Sequence, residues 1–200
     1  MGRPKEHGAT TRAQLLVAAG RVLAQEGAAA LSLRRVAEEV GTTTRAIYSL
    51  FGNKEGLLSA MYDQMSDAFT HAHEAVAPRA DVLNELLELA LAYRKTALAH
   101  PNLYPLVVGP AVPGYTPAPD RIERARRGLA RALQAIERGV AAGTFVGRDA
   151  NTIAHAVWAL LHGLTTLELA GALGSRRRAE ALWRDAVSSL LKSFGQAPAL

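Results

Sequence analysis

No cysteine occurs among the 200 residues. That excludes disulfides and cysteine-ligated metal centres, and it is compatible with a reducing cytosol. Long apolar runs are missing too. No uninterrupted stretch approaches the roughly 20 residues of a membrane-spanning helix, and the leading MGRPKEHGATTRAQ has no apolar signal core. The expectation is a soluble, cytoplasmic protein. There is no β-type alternation of useful length, no internal repeat and no heptad run, which leaves an all-α chain. Signatures of catalysis are equally scarce. Neither a Walker loop nor a Gly-rich dinucleotide fingerprint is present, and no Glu-x-x-His pair of the di-iron type occurs. His71 and His73 would point about 200° apart around a helix. His155 and His162 share a face but lie two turns apart, roughly 10 Å along the axis, too far to ligate one ion unaided. Ser188 and Ser189 have no histidine–acid context. An enzyme, a metal site and a cofactor are therefore not expected.

What is present is a basic, helix-patterned chain long enough for one or two small domains with a real core. The formal net charge of +5 permits nucleic-acid binding without demanding it. Residues 1–60 carry Arg3, Lys5, Arg12, Arg21, Arg34, Arg35, Arg45 and Lys54 against Glu6, Glu26, Glu38, Glu39 and Glu55, a modest excess. The later clusters, Arg121 to Arg131 and Arg176-Arg177-Arg178, read as solvated helix faces or ends.

The most informative stretch is Leu31 to Leu58, LSLRRVAEEVGTTTRAIYSLFGNKEGLL. Ser32 caps a short helix with Val36, Ala37 and Val40 on one face. Gly41 stands where that helix ends, at a position that tolerates positive φ. Thr43 or Thr44 caps the next helix, whose apolar side carries Ala46, Ile47, Leu50 and Phe51. Two short helices crossed over a glycine turn form a helix-turn-helix, and the second can enter a DNA major groove. Its outward residues are Thr44, Arg45, Tyr48 and Ser49. Arginine offers a two-pronged fork to guanine, and threonine or serine can meet a base edge. Tyr48 and Lys54 suit phosphates, which fix register without reading sequence. An ordinary polar-faced αα-hairpin would share the spacing.

Residues 12–58 resemble the N-terminal DNA-binding domain of the TetR family of transcriptional regulators. The match runs through AQEGAAALSLRRVAEEVG and TTTRAIYSLFGNKEGLL. Its most specific part is Tyr48, Phe51 and Lys54 followed by Glu55 and Leu57-Leu58. The leading Gly2-Arg3-Pro4-Lys5 is similar to the basic arm of many such regulators. Thr42 and Gly52 depart from the family pattern, where an apolar and a basic residue are usual. The resemblance implies base reading by Thr44, Arg45 and Ser49, and phosphate contacts by Ser32, Thr43, Tyr48 and Lys54. Arg34 would touch a base edge or the backbone, and Arg3 and Lys5 would reach an adjacent groove.

Elsewhere, Leu15, Leu16, Ala19, Val22 and Leu23 predict a first helix over about 11–25, stopped by Gly27. A fourth helix opens at 53–55 and carries Leu57, Leu58, Met61, Tyr62, Met65 and Phe69. The break at 77–81 suggests a division into a DNA-binding domain over 1–55, a connecting helix over 56–77 and a second domain over 78–200. Asp81 caps a long helix that ends before Pro101. Six prolines between Pro101 and Pro119 allow only a short helical turn around 103–108. One helix is expected from Asp120 to about Ala142. Another opens at Asp149 or Asn151, apolar nearly all round and so buried on most sides. The last runs over about 175–194, with Leu182, Ala186, Leu190 and Leu191 on one side. The count is about nine helices.

Trp158, His162 and Gly163 resemble the residues that name a Trp-His-Gly subgroup of TetR C-terminal domains, which implies a helical ligand-binding and dimerisation domain. By helical spacing His155, Trp158, His162, Thr165 and Leu169 form one stripe. Such a stripe either lines a pocket or packs in the core or a dimer seam. A pocket could also draw on Met65, Phe69, Tyr93, Tyr104 and Leu106, which are equally good core residues. The last two helices offer apolar faces beyond what one core needs, which suits a homodimer reading a palindrome. The function expected is a dimeric repressor released from operator DNA by a small, largely apolar effector. The alternative is a helical small-molecule-binding or scaffold protein without operator binding.

Overall fold

A computed structural model describes residues 4–109 and 112–195, with the side chains of residues 4–7 outside that description. The described residues form ten helices and no strand: α1 (Pro4–Glu26), α2 (Leu33–Val40), α3 (Thr44–Phe51), α4 (Lys54–Glu74), α5 (Val82–Ala99), α6 (Tyr104–Val108), α7 (Pro119–Gly128), α8 (Ala130–Ala141), α9 (Ala150–Leu169) and α10 (Arg176–Ser193). None is long and apolar enough to cross a membrane. The chain divides into two compact units, 1–66 with 102–122, and 67–101 with 123–200. Helix α4 contributes its first part to one unit and its last part to the other.

In the first unit α1 packs on α2 and α3, and α2 on α3. Leu15, Leu16, Ala19 and Val22 of α1 are buried with Leu31, Val36, Ala37, Ile47, Leu57, Leu58 and Met61. The expected apolar side of α3 is shallower than its pattern: Ile47 is buried, while Ala46, Leu50 and Phe51 are half-buried. The proline-rich segment belongs here as well. Leu103 packs where Gly20 has no side chain, with its Cδ2 3.2 Å from the point a Cβ would occupy. Tyr104, Leu106 and Val112 are buried. Tyr115 O–H donates to Ser59 Oγ at 3.4 Å, and Arg121 pairs with Asp63.

The second unit is a bundle in which α5 contacts α8, α9 and α10, and α9 contacts α8 and α10. Each long helix begins at an acceptor side chain. Asp81 accepts from Leu83 N at 3.0 Å, Asp149 from Thr152 N at 2.9 Å, and Ser175 from Arg178 N at 3.3 Å. Such caps satisfy otherwise orphaned N–H groups at helix starts. The hydrogen bonds from Thr152 hold the Asp149 carboxyl below its ordinary pKa. Leu86, Leu89, Tyr93, Ile136, Phe145, Ile153, Val157, Trp183, Val187 and Leu191 form the core. Two carboxylates cross-link it, the half-buried Glu168 and the buried Glu85. Glu168 takes a two-pronged bond from Arg94 at 2.8 and 2.6 Å. Glu85, fully buried, accepts from Arg79 N at 2.7 Å and Arg138 at 2.5 Å. Removing Arg138 would leave the buried Glu85 charge poorly compensated, and removing Glu168 would do the same to the buried Arg94.

Three expectations need correction. The helix expected over Asp120 to Ala142 is two helices, α7 and α8, parted at Leu129. At the break the Gly128 carbonyl is hydrogen-bonded to His73 Nδ1 at 3.2 Å while Ala132 N bonds Leu129 O, and Gly128 lies against Thr70 with no room for a Cβ. Second, α1 begins at Pro4 rather than near residue 11. Third, α9 is not buried on most sides of the single chain: Trp158 and Leu167 are exposed. On α10 the buried stripe is Ala179, Trp183, Val187 and Leu191, whereas Leu182 is exposed.

Candidate nucleic-acid interface

The helix-turn-helix is held by its backbone. Ser32 Oγ accepts from Arg35 N at 3.2 Å and starts α2. Gly41 closes α2 in the left-handed region, φ 71°, and Thr42 N bonds back to Ala37 O at 2.9 Å. Side-chain-bearing residues avoid that region, which explains the glycine. Thr43 is then extended, and its Oγ1 accepts from Ala46 N at 3.3 Å. Thr43 is therefore the cap and Thr44 the first helical residue. Gly52, φ 78°, closes α3, and its N–H reaches Tyr48 O at 2.9 Å. Asn53 Oδ1 accepts from Gly56 N at 2.8 Å, a cap for α4 that sequence reasoning did not single out.

This frame leaves one face of α3 uncovered. Thr44, Arg45, Tyr48 and Ser49 are exposed, with 56% of Tyr48 accessible, and Lys54 is exposed at the start of α4. An aromatic ring left this open next to a buried Ile47 contributes little to the core, so its place on the helix serves the surface. Ser32 and Thr43 are also exposed, but their oxygens already cap helices. Each hydroxyl keeps its own O–H donor. Arg34 is exposed and paired with Glu38 at 2.9 Å across one helical turn. Arg3 lies outside the described residues, as does the side chain of Lys5.

Carboxylates neutralise much of this unit's basic charge. Arg35 bonds Glu26 at 2.7 Å and Glu39 at 2.9 Å, and Arg21 bonds Glu39 at 2.9 Å. These bonds raise the Arg35 pKa and lower that of Glu39. The cluster lies on the α1–α2 side and locks those helices in register, a modest contribution for solvated pairs. Among the described residues, Arg12, Arg45 and Lys54 have no carboxylate within ion-pair distance. Arg12 lies instead over the ring of Phe51, 5.4 Å from its centroid.

The residues expected to bind a ligand are divided between the two units. Met65, Tyr104 and Leu106 are buried in the first unit. Phe69 and Tyr93 are buried in the second, their rings stacked 4.6 Å apart. His155 and Trp158 lie on the exposed face of α9, where the Trp158 ring stacks on the half-buried His162 at 5.9 Å. Thr165, expected on the same stripe, is buried and bonds Leu161 O at 2.8 Å. Among the described residues no group of acidic or histidine side chains could hold a metal ion.

Comparison with known proteins agrees with this geometry. Residues 15–61 match the family of bacterial regulatory proteins of the tetR type, and residues 86–190 match the Tetracyclin repressor-like C-terminal domain. That second description does not name the Trp-His-Gly subgroup, so that likeness rests on residues 158–163 alone. The HTH-type transcriptional regulator Rv1816 of Mycobacterium tuberculosis is 29% identical over 72% of this chain and 63% of its own length. The chain thus spans less than two thirds of that relative. The regulator TtgR of Pseudomonas putida is 39% identical over 40% of this chain and 37% of its own. Among solved structures, the putative regulatory protein SCO4313 superposes with a TM-score of 0.74 at 28% identity, covering 94% of this chain and 98% of that one. PfmR of Thermus thermophilus, a TetR family regulator, shares the fold at 20% identity and a TM-score of 0.74, covering 90% and 97%. These relatives are named as regulators, none as an enzyme. With both family descriptions in chain order over an all-helical fold, the protein belongs to the TetR family.

Proposed function

We propose that this protein is a homodimeric, ligand-responsive transcriptional repressor that binds a palindromic operator. The observation that carries the reading is the doubly capped α2–α3 pair, which holds Thr44, Arg45, Tyr48 and Ser49 outward on one helix face. In this reading Thr44, Arg45 and Ser49 read bases. Tyr48, Lys54, Thr43 and Ser32 hold phosphates, Arg34 touches a base edge or the backbone, and Arg3 and Lys5 form a basic arm. Residues 1–55 act as the DNA-binding domain, with 56–77 as the connecting helix. Residues 78–200 serve effector binding and dimerisation. The setting is the cytoplasm, where chromosomal DNA lies.

A dimer suits the exposed apolar side chains of α9 and α10, Trp158, Leu167 and Leu182, which the described residues of the same chain leave uncovered. A two-fold pair of α3 helices would read half-sites about one helical turn apart. His155, Trp158 and His162 then serve the seam better than a pocket, since two of the three are open to solvent in the single chain. An apolar effector would find its lining within the second unit, at Phe69 and Tyr93. It releases DNA only if it favours the non-binding state, and the difference in affinity is the coupling energy. The segment 102–122 meets the connecting helix at Ser59 and Asp63 and lies against Gly20 of α1 through Leu103, which gives an effector a route to the DNA-binding helices.

The test is fluorescence anisotropy with DNA flanking the protein's own gene, in random competitor at two salt concentrations. Binding that survives competitor and localises to a palindrome is expected. On that operator Arg45→Ala should cost about 1–3 kcal/mol and relax discrimination at one base pair, while Lys54→Ala should weaken all sequences alike. Binding that competitor abolishes would instead favour a helical binding or scaffold protein.

A further inference from the structure

The cation–π contact between Arg12 and Phe51 joins α1 to the last residue of α3, the helix assigned to the groove. Arg12 is exposed. The other described arginines of α1 and α2 differ from it, since Arg21, Arg34 and Arg35 all bond glutamates. A contact with a ring face leaves the guanidinium charge in place. The exposed side chain keeps guanidinium N–H groups open to solvent. Those N–H groups match the oxygens of a phosphate. Phe51 in turn is fixed by the end of α3, three residues before Lys54, and Gly56 packs so close to the Phe51 carbonyl that a Cβ there would collide with it. The backbone that carries the half-buried Phe51 ring is thus held at the α3–α4 turn.

We infer that Arg12 is a DNA-backbone contact lying outside the helix-turn-helix, held against Phe51 so that α1 grips a phosphate at the edge where α3 ends. This rests on the DNA-binding reading above. The contact is electrostatic and indifferent to sequence, so it adds affinity and register rather than discrimination. Phe51 acts through Arg12 and is a positioning residue.

The experiment measures binding of a fluorescein-labelled duplex of random sequence across a range of KCl concentrations. Removing one cation from a phosphate lowers the slope of log K against log salt by about 0.9. Arg12→Gln is expected to show one such step. Arg12→Lys should restore the slope, since charge alone sets it. Phe51→Leu should weaken binding in the wild-type background and have no further effect in the Arg12→Gln background. A merely structural role for Arg12, covering an apolar ring, would lower the unfolding temperature and leave the slope untouched, which overturns the inference. A wild-type protein that shows no salt-dependent binding overturns the DNA-binding reading and this inference together. Wild-type binding with an unchanged slope in Arg12→Gln overturns this inference alone.

Discussion

Gly139 is small because Phe145 needs the space. A Cβ there would lie 2.5 Å from the Phe145 ring, and that ring is buried edge-on to Phe194. Helix propensity alone says that alanine should gain about 1 kcal/mol in the middle of α8. Overpacking a closed site costs about 1–3 kcal/mol. Packing should win, so Gly139→Ala is expected to lower the denaturation midpoint in urea at unchanged m. A rise would mean that the Phe145 ring can step aside. The sequence does not reveal how closed the site is, because Phe145 comes back to Gly139 through the turn at Gly143, with its N–H on Gly139 O at 3.2 Å, and Val82 arrives from α5 only after the chain has folded. By contrast Ser32, Gly41, Asp81 and Asp149 were legible, since a cap acts within three or four residues of itself. Trp183 was not: α10 carries two apolar stripes, and only the packing against α5 and α9 decides which is core.

At the scale of elements, the α7–α8 break is a tertiary feature imposed on a helical pattern. His73 of α4 is buried and bonds the Gly128 carbonyl beside the break. Burial pushes its pKa down, the nearby charge of Arg131 adds to this, and the carbonyls of Gly128 and Leu89 only partly oppose it. The folded state therefore favours neutral His73. Between that lowered pKa and the ordinary value near 6.5, the unfolded chain takes up a proton that the folded chain refuses. The stability His73 contributes is complete above the unfolded value and falls as pH drops through the window. His73→Asn keeps a donor for Gly128 and removes the titration. Its melting temperature should decline less than that of the wild type as pH is lowered from 7 into that window. Parallel curves would mean that His73 titrates alike in both states. Element types and most helix starts could be read from periodicity and caps. The split at Leu129 could not, because it depends on Thr70 and His73, more than fifty residues earlier.

Across the whole molecule, the surface of α9 and α10 is what a second copy would have to cover. Trp158 and Leu182 are each at least 40% accessible, and Gly163 on the same helix as Trp158 has open space where a Cβ would go. Trp158→Glu with Leu182→Glu should give a folded monomer, seen as a halved mass in sedimentation equilibrium with unchanged helical circular dichroism. Charges facing their own copies across a two-fold seam repel, and burying them costs several kcal/mol. An unchanged dimer would place the seam on another surface, and a monomeric wild type would remove the dimer from the proposed function.

The sequence by itself determined the all-helical class, the glycine turn at Gly41 and the outward set Thr44, Arg45, Tyr48, Ser49 and Lys54. These depend on helical period, capping and φ preference, which operate within a few residues. Only the tertiary structure decided that Arg12 stands on Phe51, that Arg21 of α1 bonds Glu39 and Arg35 of α2 bonds Glu26, and that 102–122 packs with the first helices. It also decided that Trp158 faces outward while Trp183 is core. Those outcomes depend on which distant side chains meet once the backbone has closed, and apolar burial, being non-directional, selects partners by shape rather than by spacing along the chain.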